Sequence, residues 1–290
     1  MRRLAQLPAP RILKKSARGL IEASRYATAR WRVLPDFVCI GAQKAGTSAL
    51  YLYLGDHPCV VPSWWKETHF FTYRWLKGQQ WYRSHFPLRR TIKALTQKRG
   101  CRVRTGEATP YYLYYPWAPY RAEEVVPQAQ LIVLLRDPVA RAISHYHHEK
   151  RRGHEPLAME AAFDAEPERL AGEAERLLAD PEYYSYEHQH HSYLDRGVYV
   201  DQLKAWHACF PREQMLVLKS EDLFEDPRRV FCRTLDFLAL PGWEPEHFPA
   251  YNVGRYPDSE EAVRQRLREY FRPHNERLYA YLGCDWSWEG

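Results

Sequence analysis

The 290-residue chain contains no apolar run of the ~18–20 residues that a membrane-spanning helix requires. It has no internal repeat and no low-complexity segment, which excludes solenoid and fibrous architectures. Six cysteines are present (Cys39, Cys59, Cys101, Cys209, Cys232, Cys284), widely spread and without a CxxC pair, so a cysteine-built metal centre is not expected. With no secretory signal either, they read as reduced, buried thiols of a cytoplasmic protein. No DNA-reading motif or basic single-strand platform accompanies the net charge of +6, so nucleic acid is not an expected partner. That charge is also misplaced for such a role. Residues 1–32 hold nine Lys/Arg against Glu22, a net of +8, which leaves the remainder at −2. Residues 1–34 are therefore read as a basic N-terminal extension, either a basic amphipathic helix making peripheral membrane contact or a solvated tail.

What is present is an α/β pattern. Short apolar runs alternate with helical periods from Pro35 onward, placing strands at Phe37–Gly41, around Val60, near Val103–Gly106, at Gln130–Leu135 and at Met215–Lys219. Helices are expected at 47–54, 122–126, 139–152, 193–209, 227–238 and 260–281, with Pro273 as a break point in the last. Residues 35–290 form one domain. Within it, residues 155–191 carry ten acidic residues against Arg169 and Arg176 and read as a helical insertion or a polar aromatic lid. Three histidines near its end (His188, His190, His191) suggest a metal, but no carboxylate or cysteine stands at a helix-compatible ligand spacing, so no metal is expected.

Three stretches carry chemistry. Phe37 to Leu50 runs from an apolar strand through Gly41-Ala42-Gln43-Lys44-Ala45-Gly46 into hydroxyls that open a helix. Backbone N–H groups at such a helix start, with the helix dipole behind them, cradle an anion, and Lys44 adds a full charge. Leu131 to Tyr146 places Arg136 at the carboxyl end of a buried strand, ready to fork onto a phosphate, with Pro138 starting the next helix and Arg141 and Ser144 in its first turns. Taken alone, Arg136-Asp137 also reads as a structural ion pair. Ligands of open α/β sheets bind at the carboxyl ends of strands, so two anion-binding elements there imply a ligand with two separated anionic groups. Lys66-Glu67-Thr68-His69-Phe70-Phe71 offers a carboxylate among a lysine, a histidine and aromatics, a candidate general base if partial burial lifts its pKa.

In this order the three stretches resemble the sulfotransferases that use 3′-phosphoadenosine 5′-phosphosulfate (PAPS), most closely the heparan sulfate N- and 3-O-sulfotransferase type, over roughly residues 35–284. Also matching are Glu107-Ala108-Thr109-Pro110-Tyr111-Tyr112, Tyr199 to Leu203 before Trp206, Ser220-Glu221-Asp222-Leu223, and Gly254-Arg255-Tyr256-Pro257 ahead of Tyr270 to Asn275. The resemblance implies a P-loop-like three-layer α/β fold with a central, mostly parallel sheet flanked by helices. It implies that Lys44 contacts the 5′-phosphosulfate, that Ala45, Gly46, Thr47 and Ser48 cradle the phosphate, and that Arg136 and Ser144 hold the 3′-phosphate. Arg255 and Tyr256 match a late loop that closes over the cofactor. Glu67 matches the base that takes the acceptor's proton, with His69 in support. The implied reaction is an in-line, metal-free displacement that releases 3′-phosphoadenosine 5′-phosphate, with a glycan, a glycolipid or a small alcohol as acceptor.

Departures narrow the acceptor. Ala108 stands where many relatives carry a lysine, the disulfide-bearing hairpin before the late loop is absent, and residues 155–191 are acidic, so a less anionic acceptor than heparan is expected. Two rival readings differ in class. A P-loop kinase is disfavoured because Lys44 precedes the second glycine and no carboxylate arrangement for Mg²⁺ is evident. A non-catalytic nucleotide- or glycan-binding protein of the same fold is disfavoured by Glu67 beside an intact loop.

Overall fold

The computed structural model describes residues 11–249 and 261–288, with side chains from residue 19 onward. Five strands, β1 (Phe37–Gly41), β2 (Val60–Pro62), β3 (Arg104–Ala108), β4 (Gln130–Leu135) and β5 (Met215–Lys219), form one fully parallel sheet in the order β2-β3-β1-β4-β5, flanked by helices. β1 and β4 lie at the centre because they are apolar throughout. Phe37, Ile40 and the whole run Leu131–Leu135 are solvent-inaccessible, and burying each such side chain is worth about 1.5–3 kcal/mol. Their carboxyl ends therefore open side by side.

The helix Pro138–Arg152 starts immediately after β4. Asp137 is its N-cap, accepting from the Val139 and Ala140 amides at 3.0 and 3.3 Å, and so it caps the helix instead of pairing with Arg136. The helix expected over 193–209 begins only at Tyr199, because the preceding backbone is used otherwise. The amides of Leu194 and Asp195 donate to the buried Glu166 carboxylate, and Asp195–Gly197 makes a 3₁₀ turn. Pro273 does not break the last helix, which runs Glu261–Leu282 with Phe271, Asn275 and Leu278 buried on either side of it. Residues 155–191 contain four short helices (Met159–Asp164, Glu166–Leu170, Glu173–Ala179, Tyr186–His190).

Two expectations change. Cys59 and Cys101 form a disulfide, tying the start of β2 to the turn after the helix Arg89–Arg99, with their Cα atoms 6.4 Å apart; only Cys39 of the remaining cysteines is buried. The reading of six reduced, buried thiols is thereby overturned, since the pairing depends on a β2–β3 neighbourhood that spacing does not show. The end of the basic extension also belongs to the body. A helix spans Arg11–Ala27, Arg25 donates to the Ser84 and Phe86 carbonyls at 2.8 and 3.0 Å, and Arg32 donates to Phe86 at 2.7 Å. No helix among the described residues is long and apolar enough to cross a membrane.

Candidate active site

The loop after β1 is shaped by close packing. A Cβ at Gly41 would meet Leu113 at 2.5 Å, and Gly46, at φ +87°, adopts a left-handed turn in which side chains are strained. The helix Thr47–Asp56 then begins with Gly46 as N-cap, no side-chain cap and no acid in its first turn, which leaves its first amides for an anion. Lys44 itself has φ +71°. The loop is held by Ala42 N donating to Leu134 O at 2.6 Å, Ser220 Oγ to Ala45 O at 2.7 Å and Arg136 Nη1 to Lys44 O at 3.1 Å. Arg136 is in turn positioned by Tyr199, whose hydroxyl donates to its carbonyl at 2.8 Å. Thus Lys44 and Arg136 meet at the carboxyl ends of β1 and β4. Burial, then the charges of Arg151 and Arg136, push the Lys44 ammonium down to about 8, against the opposing pull of Glu149. The ammonium makes no hydrogen bond or ion pair among the described residues. Thr47 is buried, Ser48 half-buried, and Ser144 buried on the Pro138–Arg152 helix.

The base segment hangs from the other half of the sheet. Glu67 N donates to Ala108 O at 3.0 Å, and both Glu67 (φ +60°) and His69 (φ +53°) have left-handed backbones. Lys44, Glu67 and His69 are three of the five non-glycine residues in this conformation among the described residues, a concentration of strain typical of functional sites. Between them, Thr68 reaches inward to Glu107, a wholly buried carboxylate that receives four neutral hydroxyls: Thr68 and Tyr82 at 2.7 Å, Thr109 at 2.9 Å and Tyr112 at 3.0 Å. Burial drives the Glu107 pKa up, and the four hydroxyls oppose it. Tyr112 also accepts from the Phe70 amide at 2.9 Å. The Glu67 carboxylate is less enclosed than expected from its motif, with a side chain 42 % exposed and Oε1 2.6 Å from Lys66 Nζ. Lys66 also donates to Ser48 Oγ at 2.6 Å, joining the base segment to the anion cradle. His69 Nε2 lies 3.9 Å from Glu67, but burial pulls its pKa down to about 4, so at neutral pH the contact is between a carboxylate and a neutral imidazole.

Three residues to which the sequence assigned no role join the site, two of them, Lys66 and Arg141, inside the stretches it singled out. Lys66 bridges its halves. Arg196, buried, donates to the Gln43 side chain of the loop and to the His188 and Gln189 carbonyls, and lies 4.9 Å above the Tyr111 and Tyr114 rings. Arg141, wholly buried, donates to Tyr193 O and leaves Nε and Nη1 without hydrogen-bond partners. Beside the base segment a cavity of about 440 Å³ is lined by Trp64, Trp65, Trp81, Arg25, Arg74 and Lys77 among others. Arg74 connects it to the site by donating to Thr68 O at 3.1 Å. Arg255 and Tyr256 lie outside the described residues.

The ground for setting a metal aside also changes. The carboxylate that spacing did not supply to the histidines comes from Glu149 on another helix, with His154 and His190 around it.

A parallel α/β sheet that presents an anion cradle, a second cationic anchor and a carboxylate at one edge defines a nucleotide-dependent group-transfer enzyme. The chain belongs to the sulfotransferase domain family, whose profile matches residues 34–248. It is 32 % identical over 282 residues to heparan sulfate glucosamine 3-O-sulfotransferase 3A1 of Homo sapiens, covering 89 % of this chain and 63 % of that protein. It is 27 % identical over 321 residues to the membrane-associated sulfotransferase kil1 of Dictyostelium discoideum, covering 88 % and 67 %. The chain thus spans about two thirds of the length of these curated relatives. Among solved structures, a sulfotransferase from Alicyclobacillus acidocaldarius superposes with a TM-score of 0.60 at 29 % identity, covering 89 % of this chain and all of that one.

Proposed function

We propose that this protein transfers the sulfuryl group of PAPS to a hydroxyl or amine of a glycan. The observation that carries the reading is the convergence of Lys44 and Glu67, each in a left-handed backbone and linked through Lys66 and Ser48, on one edge of a family sulfotransferase fold. The donor fits the residues present. The uncapped amides of Gly46, Thr47 and Ser48 and the Lys44 ammonium suit the 5′-phosphosulfate, whereas the Ala45 amide is used on Ala42 O; the Arg136 guanidinium, with one fork used on Lys44 O, suits the 3′-phosphate beside Ser144. Arg255 and Tyr256 are assigned to the closing loop on the resemblance alone.

In the reaction, the acceptor O–H or N–H gives its proton to Glu67 as its lone pair attacks sulfur. The bond from sulfur to the bridging phosphate oxygen breaks, and that oxygen keeps the electron pair, which Lys44 stabilises. His69, kept neutral at pH 7 by its burial, stands 3.9 Å from the carboxylate as a supporting polar group.

For the acceptor we infer an acidic glycan, in place of the weakly charged one expected from sequence. Indole faces stack on sugar rings, and Arg74 (5.6 Å above Trp65) and Lys77 (5.8 Å above Trp81) supply charge for carboxylates or sulfates. Within the acidic segment Glu155, Glu166 and Glu173 are buried and Asp164 pairs with Arg266, while Glu160, Glu168, Glu175, Asp180 and Glu182 stay exposed. Because the Cys59–Cys101 disulfide persists only where thiols are oxidised, we also assign the protein to an oxidising compartment instead of the cytoplasm. Transfer of labelled sulfate from PAPS to a panel of acidic and neutral glycans tests the reading. Labelling of an acidic glycan without added metal is expected, whereas turnover only with ATP and Mg²⁺ overturns it.

A further inference from the structure

A second constellation lies at the far end of the helix Pro138–Arg152, made of residues with no assigned part in sulfuryl transfer, although the Glu149 charge reaches Lys44. Glu149 is buried there, with Oε2 2.9 Å from Nδ1 of His190. His154, just beyond the helix end, stacks on His190 with ring centroids 4.4 Å apart. One donor atom from each of Glu149, His154 and His190 lies within 4.8 Å of the others. His145, one turn earlier on the helix, is wholly buried; neither ring nitrogen has a hydrogen-bond partner, and its Nε2 lies 3.5 Å from Glu149 Oε1.

The surroundings orient these rings as ligands. Tyr186 OH bonds His154 Nδ1 at 2.8 Å and Tyr184 OH lies 3.3 Å from His190 Nε2, leaving Nε2 of His154, and Nδ1 of His190 facing Glu149. An outer partner on the far nitrogen is what fixes the tautomer of a metal-binding imidazole. We propose that Glu149, His154 and His190 bind a divalent metal of the zinc class. Two imidazoles and one carboxylate suit Zn²⁺ or Co²⁺, whereas Mg²⁺ and Ca²⁺ take oxygen ligands. Without an ion, the buried His145 beside the cluster has no partner at Nδ1 and only the 3.5 Å approach to Glu149 at Nε2, which is costly. The metal clips the 155–191 segment, through His190, to the helix that carries Ser144. Its role is structural, and it takes no part in the transfer step.

The test uses the full chain. After dialysis, elemental analysis should find about one equivalent of retained zinc. A chelator should lower the melting temperature and Zn²⁺ restore it, and Co²⁺ substitution should give the visible absorption of a four-coordinate site. His154→Ala, at a half-exposed turn that tolerates truncation, should lose the retained metal, while His147→Ala on the same helix keeps it. Retention of no stoichiometric metal with a melting temperature indifferent to Zn²⁺ and chelator overturns the proposal, as does wild-type zinc retention by His154→Ala.

Discussion

The two halves of the site are built differently. The donor half, around Lys44 and Arg136, grows from the two central strands and is braced by backbone carbonyls: Leu134 O holds Ala42, and the Ala45 and Lys44 carbonyls hold Ser220 and Arg136. The acceptor half follows the three-residue edge strand β2, is tied to β3 by Glu67 N donating to Ala108 O, and is braced mainly by side chains, four hydroxyls converging on Glu107. Main-chain bracing suits a ligand whose charges never vary. Side-chain bracing leaves room for a cavity of indoles and cations that selects among acceptors.

The donor half should give the largest loss. Lys44→Ala removes the charge that meets the leaving oxygen, and kcat should fall about 10²–10³-fold in a PAPS transfer assay, the scale for deleting one preorganised stabiliser of developing charge. Glu107→Gln breaks the contrast from the other side. It replaces an acceptor of four hydroxyls by an amide, and denaturant unfolding should show a loss of about 1–3 kcal/mol. Its kcat should fall while calorimetric affinity for 3′-phosphoadenosine 5′-phosphate holds, because the network supports Glu67 and His69 but not the cradle.

Smaller effects follow at the acceptor cavity. Arg74→Ala and Trp65→Ala should each raise the acceptor KM about tenfold, roughly 1.4 kcal/mol, with the KM for PAPS unchanged. In the pH profile, kcat/KM should decline as pH rises through about 8, where Lys44 loses its proton in the free enzyme. His69, held near 4 by burial, should add no inflection between pH 5 and 7. The linked stability has a defined sign. The folded Lys44 ammonium is less easily kept than the unfolded one at 10.5, so its burial cost is present below pH 8 and relieved as pH rises toward 10.5.

Much of the donor half was legible because its determinants are local. An apolar run, a glycine-bounded loop and a hydroxyl-led helix occupy fourteen consecutive residues, and β4 with Arg136 is equally contiguous. Arg196 was missed because its stretch has a helical period, while the chain spends Leu194 and Asp195 on Glu166 and turns before Tyr199. Its only local signal is Arg196-Gly197, where a Cβ would meet Phe271 at 2.6 Å. The pairing of Cys59 with Cys101, the Glu107 hydroxyl cluster and the meeting of Glu149 with His190 depend on strand order and helix packing, which no spacing encodes. The pairing inside 155–191 was hidden for a related reason, since composition counts carboxylates without showing that Glu155 meets Arg169 and Tyr193.

The most direct test of the account is Glu67→Gln, assayed for sulfate transfer from PAPS beside a thermal-shift titration with 3′-phosphoadenosine 5′-phosphate. The substitution should lower kcat about 10²–10⁴-fold, the range for a general base, while the nucleotide raises the melting temperature as in the wild type. Retained turnover, or turnover and nucleotide binding lost together, would contradict the division into a donor cradle at Lys44 and a base at Glu67.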